Sequence, residues 1–144
     1  MEQTYTKLDL ATEQLDAAIS LFLEKSFVSA LTLAGAAEEV LGKALSNRRE
    51  QNYLDWKYET FEPIHPILHG APLSKEAFVR DENRALIAVA SGSEPSVTLD
   101  LEDAAPWMII RACFNSDRLG LPRTARRREF DNWFDEDVVG LEFL

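Results

Sequence analysis

The sequence predicts an all-α fold, an up-and-down bundle of four to five helices in one domain over residues 1–144. Three observations carry this. Apolar residues recur at steps of three and four in five segments, the spacing of a helix with one buried face. Strand signal is confined to Val97, Thr98 and Leu99, a short extended piece. The 144 residues, 46% hydrophobic and 28% charged, suit one globular core that needs no covalent staple.

The first helix is the clearest. Leu8, Ala11, Leu15, Ala18, Ile19 and Phe22 form its apolar face, and Asp9, Glu13, Asp16 and Ser20 oppose them. Ser26 is a candidate N-cap for a second helix reaching about Leu45. From Phe27 to Ala37 that helix is apolar or small nearly all round, which predicts a central position. Gly35 with Ala30, Ala34, Ala36 and Ala37 offers a smooth surface, read either as tight internal packing or as a dimer interface. Residues 46–73 read as a long, weakly structured segment. Tyr53, Trp56, Tyr58 and Phe61 anchor it, and Pro63, Pro66, Gly70 and Pro72 forbid one continuous helix.

A third helix is predicted from an N-cap at Ser74 to about Ala90. A fourth is capped by Asp100 or Asp103 and runs to about Asn115. Pro106 is better tolerated if that helix begins at Ala104, where the missing N–H has no intrahelical partner. After the Leu119–Pro122 turn a fifth helix carries Phe130, Trp133, Phe134 and Val138 on one face.

Composition narrows the function. The single Cys113 excludes an internal disulfide framework and fits a reducing compartment. Met1 to Lys7 lacks the pattern of a secretory leader, and no apolar run approaches the roughly 18 residues of a membrane span, so a cytoplasmic protein off the membrane is expected. A net charge of −10 opposes nucleic-acid binding through bulk charge. Arg123, Arg126, Arg127 and Arg128 are the local exception. They form a candidate anion-binding run at a helix start, where cations oppose the helix dipole.

Glu38 lies on the stripe Leu31, Ala34, Glu38, Leu41, Leu45. A carboxylate facing the core needs a cation, and Arg84 or Arg111 can supply one; otherwise it turns to solvent with Glu39. Arg80, Asn83 and Arg84 complete a candidate polar cluster with Glu38 and Arg111. His65 and His69 share a face if helical, with Glu62 as a third candidate ligand, but the prolines and the absence of HExxH favour a packing pair, and no metal is assigned. Cys113 reads as a core thiol. No cofactor motif, phosphate-cradling glycine loop or Ser/His/Asp set is present.

Leu15–Leu45, with Ala30-Leu31-Thr32-Leu33-Ala34-Gly35-Ala36-Ala37-Glu38-Glu39-Val40-Leu41-Gly42-Lys43, resembles the first two helices of bacterial HEPN-like proteins. Val79–Ala85 followed by Ala104–Ala112 resembles their third and fourth helices, so the likeness covers about half the chain. The resemblance implies a bundle that is often homodimeric. Active relatives cut RNA with an arginine followed four to six residues later by histidine. Others bind nucleotides or act as partners of small nucleotidyltransferases. The arginine carries over to Arg80 or Arg84, but Ala85 to Ser91 contain no histidine. The expectation is therefore a non-catalytic protein acting through its own dimer or a protein partner, in a toxin–antitoxin or defence-type setting. The alternatives are an RNA- or nucleotide-binding module using Arg80, Arg84 and the 123–128 arginines, or an enzyme of another kind around Glu38 or His65 and His69.

Overall fold

The computed structural model describes residues 1–140. Among these the protein is all helical, with no strand: α1 (Lys7–Leu23), α2 (Phe27–Asn47), α3 (Tyr53–Phe61), α4 (His65–His69), α5 (Lys75–Glu82), α6 (Arg84–Ala90), α7 (Leu101–Arg118) and α8 (Ala125–Phe134), then a π-helical turn at Asp135–Val139. Residues 97–99 are irregular chain.

Eight helices replace the four to five expected, and two departures explain the difference. The 46–73 segment holds α3 and α4. Asn52 starts α3 by accepting the Asp55 N–H at 2.9 Å, and Pro66 falls in the first turn of α4, where its missing N–H costs nothing. The helix expected from Ser74 to Ala90 breaks at Asn83 into α5 and α6. Helix α7 also differs from its preferred start. Asp100 caps it by accepting the Asp103 N–H at 3.2 Å, so Pro106 sits beyond the first turn. The carbonyl left without a partner is that of Glu102, an exposed residue that water can reach.

The core forms where α2 packs against α1 on one side and α7 on the other. Ala11, Leu15, Ala18, Ile19 and Phe22 of α1 are buried, as their spacing predicts. Lys25 takes a left-handed conformation (φ 67°), and the Ser26 N–H reaches back to the Leu21 carbonyl at 2.8 Å. That cap ends α1 and lets α2 return alongside it. Ser26 precedes α2 but makes no side-chain cap bond.

Ala30, Ala34 and Ala37 are buried in this core. A Cβ on Gly35 would lie 2.7 Å from Cδ2 of Leu86, so the glycine admits α6 close to α2. At Gly35 the small-residue surface is thus occupied within the chain. Tyr53 and Trp56 pack on Phe114, and Tyr58 on Phe78, while Phe61 stays half exposed.

Candidate functional site

The polar residues singled out around Glu38 separate into two groups. Glu38 faces inward from α2, and its Oε2 lies 3.2 Å from Nη2 of Arg111 on α7. Arg111 is only 4% exposed and Glu38 only 8%. The same guanidinium donates from Nη2 to Asn83 Oδ1 at 2.7 Å and from Nη1 to the Glu82 carbonyl at 3.0 Å. The break between α5 and α6 thereby presents two acceptors to one buried cation. Arg111 also sits over the Tyr53 ring, and its Nε has no hydrogen-bond partner.

Arg80 and Arg84 stay outside this cluster. Arg80 is exposed and pairs with Glu76 at 3.3 Å. Arg84, also exposed, lines a cleft of about 360 Å³ with Arg111, Tyr53, Lys57, Trp107 and Met108. Asp81, Glu82 and Asp103 line it too, so cations and carboxylates balance there.

Asn115 was not legible as a site residue, yet it joins three helices. Fully buried, it accepts the Tyr53 N–H on Oδ1 at 2.8 Å and donates from Nδ2 to the Glu38 carbonyl at 3.3 Å. It therefore ties the start of α3 and the middle of α2 to α7. A polar residue on the apolar stripe of a predicted helix is the signal that could have found it.

Three of the four arginines in the candidate anion-binding run form ion pairs within the chain. Arg127 is buried and grips Asp117 with Nη1 at 3.0 Å and Nη2 at 2.9 Å, and its Nε donates to Asp131 at 2.9 Å. Arg123 bridges the same two aspartates at 3.1 Å each. Arg126 pairs with Glu129 at 3.0 Å, and Arg128 donates to the Arg123 carbonyl at 3.3 Å. The acids lie just outside residues 122–128, so the run looked unbalanced only in sequence. Arg123 and Arg127 fasten α8 to the end of α7 through Asp117, while Arg126 pairs within α8, and Thr124 Oγ1 adds a bond to Asp16 on α1 at 2.7 Å.

Burial raises the Arg127 network's carboxyl at Asp117, but hydrogen bonds and charge from Arg127, then Arg123, outweigh it and hold that group below its usual 3.8. A depressed folded-state value contributes stability above the unfolded value and loses it as pH falls through the folded one. Thermal midpoints should therefore drop as pH falls below about 4, and Asp117→Asn should flatten that drop. An identical acid profile in the variant would count against this network.

Burial pushes the Cys113 thiol up to about 12, more than nearby Arg127 can offset, so it stays protonated at neutral pH.

His65 and His69 do share a face on α4, with ring centroids 4.5 Å apart, and His65 Nδ1 donates to the Ala71 carbonyl at 2.8 Å. Among the described residues no group of three or more His, Cys, Asp or Glu side chains is placed to hold a metal ion. No described helix is long and apolar enough to cross a membrane.

The same segment bears the most exposed large aliphatic side chains after the chain start. Ile67 is 83% exposed, Leu68 70%, Phe61 47% and Ile64 46%. The Ile64 N–H reaches the Phe61 carbonyl, and the Leu68 N–H reaches the Ile64 carbonyl, so helical turns continue from Phe61 through Leu68. Steps of three and four put these four side chains on one face. The result is an apolar ridge with no covering element among the described residues.

No protein-family model, curated protein or solved structure matches this chain. The buried cluster and the ridge therefore carry the functional reading on their own chemistry.

Proposed function

We propose that this chain is a non-catalytic, HEPN-like helical domain, an up-and-down bundle built on α1, α2 and α7, that acts by docking a protein partner on the α3–α4 ridge. The observation that carries this reading is the exposure of Phe61, Ile64, Ile67 and Leu68 on one face. Left in water, Ile67 and Leu68 each forgo most of the roughly 1.5–3 kcal/mol that full burial would contribute, and Phe61 and Ile64 about half. A concentrated set of them marks an interaction site more often than a scattered one. Most of the polar groups singled out in the sequence are engaged within the chain. Glu38, Asn83 and Arg111 hold one another, and Arg123, Arg126 and Arg127 hold aspartates and a glutamate.

A photo-crosslinking residue at His69, which borders the ridge, tests this in cells that express the protein. The expected result is a discrete adduct with a different protein, absent when the crosslinker replaces exposed Glu13 on α1. An adduct of twice the chain mass would instead make a second copy the occupant, giving the homodimer. Equal, diffuse labelling from both positions would contradict the docking reading.

A second reading, RNA or nucleotide phosphate binding, draws on Arg84. This side chain is exposed at the cleft rim and has no ion pair among the described residues. Labelled RNA titrated at two salt concentrations tests it, because phosphate contacts must weaken as salt rises. Salt-insensitive binding, or none, removes this reading.

A further inference from the structure

We propose that His65 and His69 chelate one divalent transition-metal ion of the kind imidazole prefers, copper(II) ahead of nickel or zinc. The site stands apart from the docking reading above. Histidines four apart in sequence share a face only where the chain between them is helical. Pro66 allows this because it falls in the first turn of α4. The two rings have their centroids 4.5 Å apart and their planes inclined by 36°. Two imidazoles that share an ion at about 2.0–2.1 Å from each nitrogen, and at roughly a right angle, bring their ring centres to about 4.5 Å. The spacing is that of a chelating pair.

His65 is held through its other nitrogen. Gly70 ends α4 in the left-handed conformation (φ 73°), and the Ala71 carbonyl beyond it accepts from His65 Nδ1 at 2.8 Å. A carbonyl only accepts, so Nδ1 carries the proton and the neutral ring keeps its lone pair on Nε2. Metal-bound histidines are commonly oriented by such a bond from the second nitrogen. Among the described residues, Nε2 of His65 and both nitrogens of His69 have no hydrogen-bond partner. His69 is exposed and His65 half-buried, so the pair is open to an ion from solvent.

No third His, Cys, Asp or Glu among the described residues joins the pair, so the remaining coordination positions go to water or to a donor from outside the chain. The ligand type selects the ion. Imidazole suits copper, nickel and zinc, whereas magnesium and calcium take oxygen donors. Copper(II) stands highest in the order of divalent affinities and favours the right-angled arrangement.

Copper(II) chloride titrated calorimetrically into the tag-free chain tests this, with an excess of magnesium chloride as the competitor. One copper should bind per chain, magnesium should not displace it, and electron paramagnetic resonance should show two nitrogens on the metal. His65→Gln and His69→Gln lie outside the core, and each should weaken binding about tenfold or more, the least that losing even a supporting group of a metal site costs. A resonance with one nitrogen or none in the parent chain would overturn the two-histidine site. Copper binding that either variant leaves unchanged, or that magnesium displaces, would overturn it as well.

Discussion

Glu38→Ala should destabilise the fold by about 3 kcal/mol or more, because it leaves the Arg111 guanidinium buried without its carboxylate. Such a loss is a large share of the roughly 5–15 kcal/mol that holds an ordinary domain together. Chemical denaturation followed by circular dichroism reads it directly. Replacing both residues, as Glu38→Met/Arg111→Met, removes the charge with its partner and should cost less than the single change. The acceptors that Arg111 leaves behind, on Glu82 and Asn83, belong to half-buried residues where water can take its place. A single variant within about 0.5 kcal/mol of the parent would mean that the pair is dispensable.

Asn115→Leu is the second large effect. The change strands the Tyr53 N–H, while the Glu38 carbonyl loses an added bond and keeps its place in the α2 ladder. A buried polar group left unpaired costs about 1–3 kcal/mol, which sets the expected loss. The loss should fall first on α3, whose opening N–H is the stranded group. Hydrogen exchange at Tyr53 should accelerate more than exchange in the middle of α1. Uniform acceleration across the chain would contradict that local role.

The long helices were legible because their burial follows one period. Leu8 to Phe22 on α1 and Leu31 to Leu45 on α2 repeat every three or four residues, and the structure buries the residues that spacing selects. Glu38 stood out as one acidic residue on such a stripe, and Arg111 was among its expected partners. The 46–73 segment was not legible, because its prolines suppress any long period. The two short helices there depend on a local cap at Asn52 and on a proline placed inside a first turn.

The break at Asn83 was hidden for a different reason. Its acceptors are taken by Arg111, which lies 28 residues away in the chain. The arginine run misled through the same gap between sequence and space. Asp117 and Asp131 lie outside the run, and only the docking of α8 onto α7 brings them to Arg123 and Arg127. Ridge exposure was also unreadable, because Phe61 was expected to anchor its segment with the other aromatics. Tyr53, Trp56 and Tyr58 do so, but Phe61, the last residue of α3, stays half exposed.

The Glu38–Arg111 pair inside the bundle is structural, and the working surface lies outside it on the Phe61–Leu68 ridge. The most direct test measures crosslinking yield from His69 in three backgrounds: the parent chain, Glu38→Met/Arg111→Met, and Ile67→Ser/Leu68→Ser. All three are compared at a temperature where circular dichroism shows each fully folded. The predicted result is a yield within about twofold of the parent for the methionine variant and a loss of about tenfold for the serine variant. The reverse pattern, with the adduct lost when the buried pair is replaced and kept when the ridge is made polar, would contradict the account.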